Sequence, residues 1–174
     1  TNSLPNVISD AGMKQMHIAE SEKYAHVTYF FNGGEENPIP GEDRKMIPSP
    51  KNIRFDEKPE MSASQIAKEV IDALSLYDFI LVNFANADMV GHTGNFQATV
   101  KALEVIDFSL GMIIPAVLEK KGALIISADH GNAEEKIFSV SGEKRTKHTS
   151  NPVPFFIITE DMNRSSARSP TDVN

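Results

Sequence analysis

The sequence has no cysteine at all among its 174 residues, which excludes disulfides and thiolate zinc sites together and fits a reducing compartment. It is short of positive charge: 17 Lys and Arg stand against 24 Asp and Glu, for a formal net charge of -7. Nucleic acid is therefore not an expected partner, because affinity for a phosphate backbone comes mainly from Lys and Arg. The acidic balance says less about a small phosphorylated substrate, since bound metal ions reverse the charge locally. No apolar run approaches the roughly 18 residues of a membrane span, and no signal peptide is visible, so no membrane partner is expected and a cytoplasmic protein is the default. There is no internal repeat and no low-complexity segment. What is present, 40% hydrophobic and 24% charged residues, suits one globular domain with a sizeable core.

Both ends read as cut or frayed. The first residue is Thr1 rather than an initiator Met, and the last stretch is polar with almost nothing to bury. Residues 1–160 are expected to form the domain, and 161–174 a polar, disordered tail.

Along the chain, residues 5–12 suit a short helix ended by Gly12, and residues 15–19 a short strand. Ser21 to Phe31 is ambiguous: Val27-Thr28-Tyr29-Phe30-Phe31 favours a strand, whereas Ser21 suits a helix cap and Asn32-Gly33-Gly34 a helix end. Residues 33–60, rich in Gly, Pro and charge, form a long connection with one short strand near Arg44–Ile47. Ser62-Ala63-Ser64-Gln65 has the pattern of a capping box, and Ile66, Val70 and Leu74 then mark one helical face. Phe79-Ile80-Leu81-Val82-Asn83-Phe84 suits a strand buried on both faces of a parallel sheet. A second helix spans about 96–120, with Val100, Leu103, Ile106, Leu110, Ile113 and Val117 as its apolar stripe. Pro115 is expected to kink it, and Lys120-Lys121-Gly122 to end it. Residues 123–128 and 153–158 read as two more apolar strands, joined by a polar loop over 131–152. Helix and strand in alternation predict an α/β domain with a mostly parallel central sheet flanked by helices.

In such sheets, ligands bind beyond the carboxyl ends of the strands. Two motifs fall there: Asn86-Ala87-Asp88-Met89-Val90-Gly91-His92 after one strand, and Asp129-His130-Gly131-Asn132 after the next. Asp88 and His92 are four apart, so one turn of chain aims both at one ion. Asp129 and His130 are adjacent, so their side chains diverge and suit a second ion. Gly91 and Gly131 allow close backbone approach or positive φ. His148 joins them only if the 131–152 loop folds back over the sheet edge. Carboxylate oxygens and imidazole nitrogens suit Mn, Zn or Mg-type ions, and two such ions roughly 4 Å apart clamp the attacking and leaving oxygens of a phosphate ester. Either motif alone is more often a surface pair or a turn. Both together, with a spare histidine downstream, favour a metal site. By contrast His17 reads as structural or exposed, His26 as structural, Met13, Met16, Met46 and Met61 as packing residues, Asp107 as surface or outer shell, and Glu134-Glu135-Lys136 as a solvated turn.

At these residues the sequence resembles the 2,3-bisphosphoglycerate-independent (cofactor-independent) phosphoglycerate mutases of the alkaline phosphatase superfamily. The resemblance rests on Glu20-Ser21-Glu22-Lys23-Tyr24-Ala25-His26-Val27-Thr28, Phe30-Phe31-Asn32-Gly33-Gly34, Asp88-Met89-Val90-Gly91-His92-Thr93-Gly94, Ala128-Asp129-His130-Gly131-Asn132-Ala133-Glu134 and His148-Thr149-Ser150-Asn151-Pro152-Val153-Pro154, and runs from about residue 10 to residue 158. It implies an incomplete alkaline phosphatase-like fold, a helix over 21–31, and a glycolytic isomerase that interconverts 3-phosphoglycerate and 2-phosphoglycerate through a phosphoserine. It implies two divalent ions, manganese foremost with Mg, Zn or Co as alternatives, and no 2,3-bisphosphoglycerate cofactor. Asp88, His92 and His148 would hold one ion, and Asp129 and His130 part of the other. Lys23 would be a catalytic and substrate-binding residue near the transferring phosphoryl group. The family's nucleophilic serine, a further metal-binding aspartate and an arginine-rich phosphotransferase domain are not found, so the chain reads as a C-terminal portion whose partners would be those segments and phosphoglycerate. Alone, it is expected to be inactive. Two rivals remain: another phosphomutase or phosphohydrolase of the superfamily, and a non-catalytic metal-binding domain.

Overall fold

The computed structural model describes residues 3–137 and 142–161. The expectation for the tail therefore falls, beyond Asp161, outside the described residues. The first helix, α1 (Leu4–Asp10), carries Pro5 in its first turn, where a missing N–H costs nothing, and turns out through Gly12 at φ 72°. The side-chain amide of Gln15 donates to the Pro5 carbonyl at 2.9 Å and ties this helix to the first strand.

Strand β1 (Gln15–Glu20) is the centre of a three-stranded parallel sheet. On one side lies β2 (Glu42–Ile47), with Gln15 opposite Glu42. On the other lies β3 (Phe79–Asn83), with Gln15 opposite Phe79. Helix α2 (Ala63–Ala73) covers this sheet through Ile66, Ala67 and Val70. These meet Ile18 and Ile47 from the sheet and Ile113 and Val117 from the long helix α4 (Phe96–Glu119) in one core cluster. The sequence pattern placed these elements correctly, because each repeats its apolar residues at its own period. The stretch 21–31 is helical, as the resemblance implies: a 3-10 turn at Ser21–Lys23 followed by a π-helical turn at His26–Phe30.

Several expectations need correction. Ser62 is not a side-chain cap: its hydroxyl donates to the Pro48 carbonyl at 2.9 Å, and its backbone N–H donates to Glu20 Oε1, also at 2.9 Å. A long-range partner has displaced the local capping box. The buried face of α4 runs through Ala98, Ala102, Ser109, Ile113 and Val117, whereas Val100 and Leu103 are exposed. The small residues at Ala98 and Ala102 admit a short helix, α3 (Asn86–Gly91), which packs there through Val90 beside Ala85 and Met61. Helix α4 is continuous from Phe96 to Glu119 with Pro115 inside it; both Pro115 and Gly111, whose carbonyl loses a donor there, are exposed, so water can satisfy that carbonyl. Of the four methionines read as packing residues, Met16 and Met61 pack, while Met13 and Met46 are exposed.

The largest departure is at the far side of the sheet. Strand β4 (Leu124–Ser127) pairs antiparallel with β5 (Phe155–Ile158), in a two-stranded sheet separate from the first among the described residues. Ile125, Phe155, Phe156 and Ile157 are exposed, and β3 is only partly buried along its length. Their apolar composition suits full burial, but no strand lies between β3 and β4 among the described residues to provide it. No described helix is long and apolar enough to cross a membrane.

Candidate metal centre

The carboxyl ends of the strands carry the candidate residues. The 3-10 turn after β1 presents Lys23, helix α3 after β3 presents Asp88, and its C-cap is His92. The four-residue spacing of Asp88 and His92 is thus one turn of real helix. His148 arrives as the sequence required, because the loop folds back. The Thr149 N–H donates to the Gly131 carbonyl at 2.8 Å, and the Arg145 N–H donates to the Lys136 carbonyl at 2.8 Å. Glu134 fastens this return: Oε1 accepts from the Thr149 hydroxyl and, at 3.0 Å, from the Asn151 amide, while Oε2 takes the Asn132 N–H at 2.7 Å.

The result is a tight cluster. Asp88 Oδ1 lies 3.0 Å from His92 Nε2 and 3.1 Å from His148 Nε2, and the two ring nitrogens are 3.1 Å apart. His92 Nδ1 is 2.7 Å from the Thr146 carbonyl oxygen, which only accepts, so Nδ1 carries a proton, and in the neutral ring Nε2 turns a lone pair inward. A carboxylate oxygen and two imidazole nitrogens therefore crowd one point, an arrangement suited to a cation or a shared proton at its centre. Two donors about 2.1 Å from one ion and at right angles to each other stand about 3.0 Å apart, so the spacing fits a divalent metal. A carboxylate with two imidazoles is a donor set for a transition metal ahead of Mg.

Asp88's other oxygen, Oδ2, accepts from the Lys23 ammonium at 2.5 Å. Lys23, whose place between Glu22 and Tyr24 would ordinarily mean exposure, is only 5% exposed. Burial pushes the Asp88 carboxyl up, but the hydrogen bonds from Lys23 and Asn132 and the charge of Lys23 outweigh it and bring the pKa down to about 2. Asp88 is accordingly an anion wherever the protein would meet a metal.

The expectation for Asp129 and His130 is only partly met. Their side chains do not diverge: His130 Nε2 is 3.5 Å from Asp129 Oδ2. The His130 ring stacks on His148, with centroids 3.5 Å apart and planes at 21°. Both thus flank the first cluster, but among the described residues only Asp88, His92 and His148 converge as three mutual ligands.

Gly91 and Gly131 serve close approach rather than positive φ. A Cβ at Gly91 would stand 2.7 Å from Asn132 Oδ1, and one at Gly131 would collide with Thr149 and Glu134. His17 is structural, fully buried with Nδ1 3.2 Å from Glu42. Asp107 is exposed.

Two readings fail. Glu134-Glu135-Lys136 is not simply a solvated turn, since Lys136 is buried and Glu134, though exposed, ties Asn132 to Thr149 across the loop. His26, read as structural, is exposed and stands three residues after Lys23. Its pKa is lowered, first by partial burial and then by the charge of Lys23, with Asp129 and Asp88 opposing. Its spacing from Lys23 was the one available signal. Asn132 had none beyond its place in the loop.

Residues 1–172 match a family model described as the Metalloenzyme superfamily. The chain is 54% identical over 160 residues to the 2,3-bisphosphoglycerate-independent phosphoglycerate mutase of Chloroflexus aggregans, covering 91% of this chain and 30% of that protein. It is 52% identical over 167 residues to the enzyme of the same name from Moorella thermoacetica, covering 96% of this chain and 32% of that one. Among solved structures, a Leishmania mexicana phosphoglycerate mutase determined at low cobalt concentration superimposes with a TM-score of 0.81 at 36% identity, over 86% of this chain and 30% of that one. A protein of Pyrococcus horikoshii shares the fold at a TM-score of 0.57 and 20% identity, over 87% of this chain and 39% of that one. The chain thus spans about a third of the length of the curated relatives it matches.

Proposed function

The chain belongs to the Metalloenzyme superfamily, and on that footing we propose that it is the metal-holding part of a 2,3-bisphosphoglycerate-independent phosphoglycerate mutase. The observation that carries the reading is the mutual 3.0–3.1 Å spacing of Asp88 Oδ1, His92 Nε2 and His148 Nε2. These three would hold one divalent ion, manganese foremost, with cobalt brought in by the Leishmania relative and zinc and magnesium as further candidates. Asp129 and His130 would supply part of a second site.

Bound there, such ions offset the charge that builds on a transferring phosphoryl group. The chain's own residues do the rest. Lys23 keeps its ammonium at Asp88 and, once a cation shares that carboxylate, is available to an anionic phosphoryl oxygen. His26, three residues after Lys23, would help to orient the same group. The imidazoles of His92 and His130 stay in fixed planes, one through the Thr146 carbonyl and one through stacking on His148. A hydroxyl nucleophile and the groups that grip phosphoglycerate would come from the two thirds of the relatives' length that this sequence does not span. The setting would be glycolytic and cytoplasmic.

Turnover of 3-phosphoglycerate with manganese, coupled to enolase, tests the reading. The 174-residue chain alone is expected to give none. Fused to the remaining two thirds of the Chloroflexus aggregans enzyme, it is expected to turn over in a manganese-dependent way. Turnover by the chain alone would contradict this account, as would a fused protein that hydrolyses a simple aryl phosphate faster than it isomerises phosphoglycerate.

A further inference from the structure

We propose that Lys136 is a positioning residue for the metal centre, acting on Asp88 through Asn132; this rests on Asp88 being a metal ligand. Lys136 is 5% exposed, and its ammonium donates to the Gly91 carbonyl at 3.0 Å and to Asn132 Oδ1. A buried lysine is costly unless its hydrogens are used. Here two of them are used on atoms within one residue of a candidate ligand or directly behind it. Asn132 Nδ2 in turn donates to Asp88 Oδ1 at 2.6 Å and to the Asp88 carbonyl at 3.2 Å. Oδ1 is the oxygen that faces His92 and His148.

The chemistry of the three groups gives the chain a direction. An ammonium only donates, so the oxygen of the Asn132 amide must face Lys136. The NH2 end must then face Asp88. Were the amide to flip, its oxygen would oppose the carboxylate, and Oδ1 would lose its fixed hydrogen bond. Lys136 thus decides which way Asn132 points, and Asn132 holds the lone pair of Oδ1 that remains for a metal. Gly91 leaves the room this needs, because a Cβ there would stand 2.7 Å from Asn132 Oδ1. Asn132 is also held from its backbone by Glu134 at 2.7 Å, so its side chain has few other places to go.

Manganese titration of the 174-residue chain and its variants tests the relay, beside NMR of the metal-free proteins. K136M keeps the length of the side chain and removes the donor. It is expected to weaken manganese binding about 10-fold, the low end of what outer partners of metal ligands contribute. N132A is expected to do the same, and the K136M/N132A pair to lose no more than N132A alone, because both act at one atom. G91A, whose Cβ displaces Asn132 while keeping the backbone carbonyl that Lys136 uses, is expected to match them. In the metal-free wild type, the Asn132 side-chain amide protons are expected to exchange slowly and the Lys136 ammonium signal to be visible; this needs no substitution and decides the contact even if K136M does not fold. Binding by K136M within about threefold of wild type, losses that multiply in the double variant, or a rapidly exchanging Asn132 amide in the wild type would each overturn the proposal. If the wild type binds no manganese while its Asn132 amide is protected in a Lys136-dependent way, the relay stands and the metal reading above falls.

Discussion

Replacing Asp88 with alanine is expected to weaken manganese binding by more than about 100-fold, beyond what outer partners of a metal site contribute, and to destabilise the chain by about 3 kcal/mol. The two effects have one origin. Among the described residues, Asp88 Oδ1 is the only carboxylate oxygen within 3.1 Å of both His92 and His148, so without it two imidazoles remain and the donor set loses its charge. Oδ2 is the partner of the Lys23 ammonium, and both side chains are nearly out of water, 13% and 6% exposed. Removing one member of such a pair leaves the other buried without compensation. H148A separates the contributions. His148 is exposed, and among the described residues its ring partners Asp88, His92 and His130, so its loss is expected to abolish tight manganese binding while changing stability by less than about 0.5 kcal/mol. Calorimetric manganese titration and urea unfolding, run on the same samples, check both numbers. D88A binding manganese within tenfold of wild type would remove Asp88 from the site.

Glu42→Ala is expected to cost about 3–5 kcal/mol, more than the loss of Asp88. The Glu42 side chain is fully buried. It accepts from the Asn32 amide at 2.7 Å, the Ile39 N–H at 2.9 Å and Arg44 Nε at 2.5 Å, and lies 3.2 Å from His17 Nδ1. Burial pushes its pKa up, but the donors from Arg44, Ile39 and Asn32 win and hold it below the usual carboxylate value. Alanine would strand those donors together with a cavity. The loss shows in the urea midpoint, whereas manganese affinity measured well below the melting temperature is expected to stay within about threefold, because none of these groups touches Asp88. A stability change under about 1 kcal/mol would mean that water replaces the carboxylate.

How much of this could be read from the sequence follows from how far apart the interacting residues are. Helix α3 carries Asp88 and His92 within one turn, so their meeting is a local matter visible as a four-residue spacing. The alternation of strands and helices is local too, and it pointed to the sheet edge where these residues lie. The arrival of His148 was legible only as a requirement, since it depends on Glu134 seizing Thr149 and Asn151 from 15 and 17 residues away. Lys136 looked like one charge in a polar run, because nothing in the order Glu134-Glu135-Lys136 says that Gly91, 45 residues earlier, offers it a carbonyl. Ser62 failed as a cap for the same reason: Pro48 and Glu20 reached it first. The strands β4 and β5 were found as strands but not as an exposed antiparallel pair, because apolar composition reports what a strand needs and not whether its neighbour is at hand.

The most direct measurement of the central claim is anomalous diffraction at the manganese edge from crystals of the 174-residue chain soaked in manganese. The account predicts a peak about 2.1–2.3 Å from Asp88 Oδ1, His92 Nε2 and His148 Nε2 together. A peak that touches none of the three, or His148 lying more than about 10 Å from Asp88 in those crystals, too far for any shared ion, would contradict it.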